Sequence, residues 1–147
     1  VYKRQIHNLG HAAAAYLGRA AHPEKTMIWE VLEDANLKSQ VKETMEQAAA
    51  ALLAEYPGVF TERALKDHIN DLLDRFSNRA LGDTVYRVGR DLKRKLSPHD
   101  RVMGAISLAE KYNLPHDAIE RVRDRAFHFG KSEPSDEEDR LFSLFHN

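Results

Sequence analysis

An all-α fold, a multi-helix bundle forming one domain, is predicted by three observations on the sequence. Apolar residues recur with the 3.6-residue period of a helix along almost the whole chain. No stretch of any length alternates apolar and polar residues as a half-buried strand does. Helix start and stop signals punctuate the stripes, notably Pro57-Gly58, Ser97-Pro98 and Pro115.

The first stripe covers residues 6–19 and includes the alanine run 12–15. It is expected to end near Gly18, because glycine readily adopts the conformation that closes helices. Met27, Ile28, Val31, Leu32 and Ala35 make a second helical stripe. A third holds Val41, Met45, Ala48, Ala49, Leu52, Leu53 and Tyr56, and Pro57-Gly58 breaks it. Leu65, Ile69, Leu72, Leu73 and Phe76 make the fourth. Residues 77–83 have weak periodicity and read as a loop, and 84–95 as a short, strongly basic helix. Ser97-Pro98-His99-Asp100 supplies an N-cap hydroxyl, a proline at the first helical position and an acid in the first turn. Val102, Ile106 and Ala109 then face inward. Pro115 opens a further helix with Ile119, Val122, Ala126 and Phe129 inside and Gly130 closing it. Ser135-Asp136-Glu137-Glu138 fits a capping box ahead of Leu141, Leu144 and Phe145.

A length of 147 residues suits one domain with its own core, and 42% apolar with 31% charged residues is an ordinary globular balance. No apolar run has the length of a membrane span, and the charged start Val1-Tyr2-Lys3-Arg4-Gln5 is not a signal peptide. Cysteine is absent, so disulfides and thiolate metal sites are excluded and a cytoplasmic location is expected. A formal net charge of -1 argues against a surface given over to nucleic acid. The missing initiator methionine suggests a chain that begins inside a longer protein.

Two constellations carry chemistry. At about 100° per residue, Lys3, Asn8 and His11 fall within roughly 140° of arc and share one broad helix face. A desolvated lysine can take a proton near neutrality, an asparagine amide can donate to a developing alkoxide, and a histidine can orient the substrate. The same residues also fit ordinary polar decoration of a helix start. His7 and His11 stand four apart as in helical zinc sites, but Asn8 occupies the place of the glutamate in H-E-x-x-H, so no metal is expected. The second constellation is basic. Arg87, Arg90 and Arg94 follow i, i+3, i+7 spacing with Lys95 adjoining, a set suited to phosphate or vicinal hydroxyls. A solvated basic face is the plainer account. A nucleic-acid patch is disfavoured by the interspersed Asp83, Asp91 and Asp100.

Lys3, Asn8 and His11 match the K-x4-N-x2-H signature of the mannitol dehydrogenase family, the polyol-specific long-chain dehydrogenases. The string Ile6-His7-Asn8-Leu9-Gly10-His11-Ala12, with Ala15-Tyr16-Leu17-Gly18, resembles the mannitol-1-phosphate 5-dehydrogenase branch, although Arg4-Gln5 stands where the family has two apolar residues. Asp83-Thr84-Val85-Tyr86-Arg87-Val88-Gly89-Arg90-Asp91 and Arg94-Lys95-Leu96-Ser97 resemble the family's second signature. Similarity continues through Tyr112-Asn113-Leu114-Pro115-His116 and weakens after His128.

The resemblance implies a bundle like the C-terminal domain of 6-phosphogluconate dehydrogenase. It implies Lys3 as general base, Asn8 and His11 as the pair that polarises the reacting oxygen, and Arg87 and Lys95 at the substrate, with Arg90 and Arg94 nearby. The implied reaction is reversible NAD-linked oxidation of mannitol 1-phosphate to fructose 6-phosphate. Free mannitol and hexuronates are rival substrates within the family. NAD would be held mainly by an N-terminal dinucleotide-binding domain, a Rossmann partner that residues 1–147 lack. The glycines at 10, 18, 58, 82, 89, 104 and 130 include no G-x-G pair. The expected partners are a sugar alcohol or sugar phosphate and that domain, with neither nucleic acid nor membrane. A helical interaction module without chemistry is the alternative from a different class. It predicts a solvated, non-concave Lys3, Asn8 and His11 face, whereas the enzyme reading needs that face beside Arg87 and Lys95.

Overall fold

The structure, a computed structural model, describes residues 2–96 and 98–129, without the side chains of 2, 91–101 and 128. Among the described residues it is an all-α bundle whose only β feature is one isolated bridge, Met27 to Thr84. The helices are α1 (Tyr2–Ala21), α2 (Ile28–Val31), α3 (Ala35–Glu55), α4 (Glu62–Phe76), α5 (Val85–Leu96), α6 (Pro98–Lys111) and α7 (Asp117–Phe129). The expected cap at Ser97, the stop at Gly130 and the helix start at 135–138 lie outside the described residues. No described helix is long and apolar enough to cross a membrane.

Helix α1 is the axis of the bundle and packs against α3, α4, α5 and α7. From Ala12 to Gly18 every residue is buried, so its second half is covered all round. Four consecutive alanines make that possible, because their small side chains let neighbouring helices approach closely.

The helix does not stop at Gly18, as the sequence suggested, but continues to Ala21. The glycine serves packing: a Cβ there would lie 2.6 Å from Val31 Cγ2. The second stripe is also divided. Asp34 accepts from the backbone N–H of Asn36 (2.9 Å) and Leu37 (3.4 Å), which caps α3 and leaves α2 a single turn. Ala35 therefore opens α3.

Buried Gln47 on α3 performs the corresponding service for α7. Its Oε1 accepts from the N–H of Ala118 (3.0 Å) and Ile119 (3.4 Å), and its Nε2 donates to Asp117 (2.7 Å). Two helices far apart in sequence are thus locked in register by one side chain that satisfies otherwise orphaned donors.

The strand-like contact of Met27 and Thr84 fixes the chain before α5. Ile28 N–H donates to Asp83 O (3.1 Å), and Val85 N–H donates to Thr26 O (2.8 Å). Thr84 is fully buried, and its hydroxyl accepts from Arg87 N–H (3.1 Å), capping α5. Residues 82–84 are therefore tied to the bundle at the point where they pass α1.

Candidate active site

The N-terminal half of α1 is two-sided. Ile6 and Gly10 face the core, where Ile6 is fully buried. His7 and His11 meet Phe76 at the end of α4, and His11 also faces Asp83 in the segment before α5.

The best-defined of these residues is His11. Its ring stacks on Phe76, with centroids 4.7 Å apart and planes within 1° of parallel. His7 meets both rings edge-on, at 5.6 Å from His11 and 5.5 Å from Phe76. The side chain of His11 is only 16% exposed. Its Nε2 is buried with no hydrogen-bond partner among the described residues, and the nearest acid, Asp83 Oδ2, stands 3.6 Å away, beyond hydrogen-bond length. Burial pulls the His11 pKa down from 6.5 to about 4, the Asp83 carboxylate opposes this, and His7 adds to it. At neutral pH the imidazole is therefore uncharged, with an unsatisfied nitrogen at the edge of a half-exposed carboxylate.

Asn8 is half-buried, and its Oδ1 lies 3.2 Å from His7 Nδ1. Lys3 is exposed, two helical turns before His11, or about 12 Å along the axis. Its backbone carbonyl stands 3.3 Å from His68 Nε2 on α4. The desolvated amine that a base role calls for is not provided by the described residues.

The basic constellation divides. Arg87 is half-buried in the first turn of α5, one turn beyond Asp83. Arg90 lies 5.7 Å from the Tyr86 ring centroid, and Tyr86 in turn stacks on Phe129 at 6.3 Å. That places Arg90 against the α5–α7 junction. The side chains of Arg94 and Lys95 lie outside the described residues. Val85 and Val88 are buried, and Tyr16 on α1 donates to Gly89 O (3.0 Å), so α5 is clamped directly to α1. A Cβ at Gly89 would collide with the Phe129 ring.

The structure thus brings His11 and the segment that leads into α5 together on one side of α1. It also adds three residues that the sequence reading left without a site role: His7, Phe76 and Asp83. His7 had a signal in its four-residue spacing from His11, and Asp83 stood at the head of the quoted second motif. Phe76 carried none, since it reads as core and is core.

Comparison with known proteins completes the picture. The profile of the mannitol dehydrogenase C-terminal domain matches residues 2–140. The chain belongs to that family. Over 132 residues it is 40% identical to the mannitol-1-phosphate 5-dehydrogenase of Shouchella clausii (strain KSM-K16), spanning 89% of this chain and 34% of that protein. It is 37% identical over 132 residues to the enzyme of the same name from Aspergillus clavatus (strain ATCC 1007 / CBS 513.65 / DSM 816 / NCTC 3887 / NRRL 1 / QM 1276 / 107), spanning 89% of this chain and 32% of that one. The chain thus spans about a third of the length of these relatives. In this mannitol dehydrogenase domain, all three residues of the first motif lie on the central helix, and Arg87 of the second opens the helix clamped to it.

Proposed function

We propose that this domain supplies the substrate-binding and proton-handling groups of an NAD-linked polyol dehydrogenase that interconverts mannitol 1-phosphate and fructose 6-phosphate. The observation that carries the reading is the His11 imidazole: buried, neutral at pH 7, with an unpartnered Nε2 on the same helix face as the Asn8 amide. The names of the two relatives supply the substrate pair.

In this reading a nicotinamide accepts or returns the hydride. The described residues form no strand, Gly-rich turn and helix that could cradle a dinucleotide, so a separate N-terminal domain is assigned that task. The residues of this chain handle the oxygen. Lys3 takes the proton of the reacting hydroxyl in oxidation and returns it in reduction. The Asn8 amide and a neutral His11 N–H donate to the same oxygen as negative charge develops on it. A neutral imidazole stabilises that charge without surrendering a proton early, the pattern expected when burial depresses a histidine pKa. Arg87 offers a planar guanidinium for the phosphate. Lys95, with Arg90 and Arg94, completes the proposed basic wall.

The test uses this chain joined to the N-terminal part of the Shouchella clausii relative, assayed with fructose 6-phosphate and NADH. Lys3→Ala is expected to lower kcat by about a hundredfold or more. Arg87→Ala is expected to raise KM by about ten- to a hundredfold, with a smaller effect on unphosphorylated fructose. An unchanged kcat in Lys3→Ala refutes the assignment of the base. Equal effects of Arg87→Ala on both sugars refute its role at the phosphate.

A further inference from the structure

We propose that Asp83 is a substrate-reading residue, accepting a hydrogen bond from the hydroxyl on the carbon next to the reacting one while His11 Nε2 holds the reacting oxygen. The inference deepens the function proposed above and rests on it.

Three observations lead there. First, His11 Nε2 and Asp83 Oδ2 are 3.6 Å apart, too far to bond to each other and close enough for one small group to engage both. A gauche vicinal diol presents two oxygens about a hydrogen-bond length apart, so adjacent hydroxyls of a polyol fit that pair of atoms. A donor and an acceptor side by side are also what a carbonyl flanked by a hydroxyl requires.

Second, Asp83 is held rather than loose. Its carbonyl accepts from Ile28 N–H at 3.1 Å, and the next residue, Thr84, is fully buried in a bridge to Met27. The carboxylate therefore projects from a fixed point toward α1. Its side chain is 36% exposed, which leaves it open to a ligand.

Third, the carboxylate has no other recorded partner. Among the described residues only His11 stands against it, and burial keeps that ring uncharged at neutral pH. A carboxylate beside a neutral imidazole retains its acceptor capacity for hydroxyls. It also repels phosphate, which would orient a sugar phosphate with its charged end toward Arg87, in the first turn of α5.

The experiment uses the same chimeric enzyme with Asp83→Ala and Asp83→Asn, assayed on fructose 6-phosphate and on its 1-deoxy and 3-deoxy analogues. Each analogue lacks one hydroxyl adjacent to the carbonyl. Asp83→Ala is expected to lower kcat/KM on fructose 6-phosphate by about ten- to a hundredfold. On the analogue that lacks the recognised hydroxyl, the variant and the unsubstituted enzyme should converge. Asp83→Asn, which keeps an acceptor oxygen and the volume, should fall between. A defect that only disturbed the fold would penalise all three substrates alike, and that result overturns the inference. So does an undiminished kcat/KM of Asp83→Ala on fructose 6-phosphate. If the unsubstituted chimera reduces none of the three, the proposed function and this inference fall together; if it is active and only the convergence is missing, this inference alone fails.

Discussion

Acidification should destabilise this domain through His11 before most carboxylates protonate. The folded-state pKa of His11 is about 4 against 6.5 for an exposed imidazole. Below pH 6.5 the unfolded chain therefore binds a proton that the folded chain refuses. Above both values the two states bind equally and the group contributes nothing. Stability is lost as pH falls from about 6.5 toward 4 and levels off below. Linkage over these two values gives a loss of about 2 kcal/mol between pH 7 and 5, and about 3 kcal/mol in full. Burial of the ring keeps the proton out, the Asp83 carboxylate favours it, and His7 adds a smaller opposition. The assay is urea unfolding of the chain at pH 7, 6 and 5, compared with His11→Gln. The variant lowers stability at every pH by removing the stack, but its loss on acidification should be smaller than that of the parent by about 2 kcal/mol. The comparison cancels Asp34 and Asp117, whose pKa values are lowered by hydrogen bonds from His22 and Gln47 and whose contributions also fade as pH falls. Parallel pH curves for parent and variant would refute the reasoning. So would a His11 ring resonance that titrates near 6.5.

Two further substitutions test the packing that positions the site. Gln47→Ala leaves the N–H groups of Ala118 and Ile119 without their acceptor and should cost about 2–3 kcal/mol in denaturant unfolding, with a loss of amide protection at the start of α7. Gly18→Ala sets two tendencies against each other: alanine gains about 1 kcal/mol of helix propensity, but its Cβ would stand 2.6 Å from Val31 Cγ2. Overpacking should win by about 1–3 kcal/mol, and Val31→Ala in the same chain should reverse the sign of the Gly18→Ala effect.

Helix existence was legible because periodicity is a local property. The four stripes from Ile6 to Phe76, Ala35 excepted, and the later inward residues Val102, Ile106, Ala109, Ile119 and Val122 are buried or partly buried; Ala35 is exposed where it opens α3. What local reading missed has the opposite character. Gly18 looks like a stop because glycine is permissive in isolation; only Val31, thirteen residues on, turns it into a close-packing position. Asp34 caps a helix in the middle of a continuous apolar stripe, and a stripe does not record where one helix ends and another begins. Gln47 reads as a surface residue until α7, seventy residues later, presents its N-terminus to it.

The candidate site follows the same rule at finer scale. Spacing alone could place Lys3, Asn8 and His11 on one face, since rotation along a helix is fixed. It could not say which of them is desolvated, because desolvation belongs to whatever packs against the face. Phe76 and the tied segment ending at Asp83 do that for His11, from sequence positions 65 and 72 residues away, and nothing in the described residues does it for Lys3. The two halves of the proposed chemistry are therefore prepared differently. The imidazole proposed to bind the oxyanion is made neutral within this domain. The proposed base lies exposed at the start of α1, and a surface docked over that end would have to exclude water from its amine. In the proposed enzyme that surface is the dinucleotide-binding domain. Proton abstraction would then be coupled to cofactor-domain closure, whereas polarisation by His11 would not be.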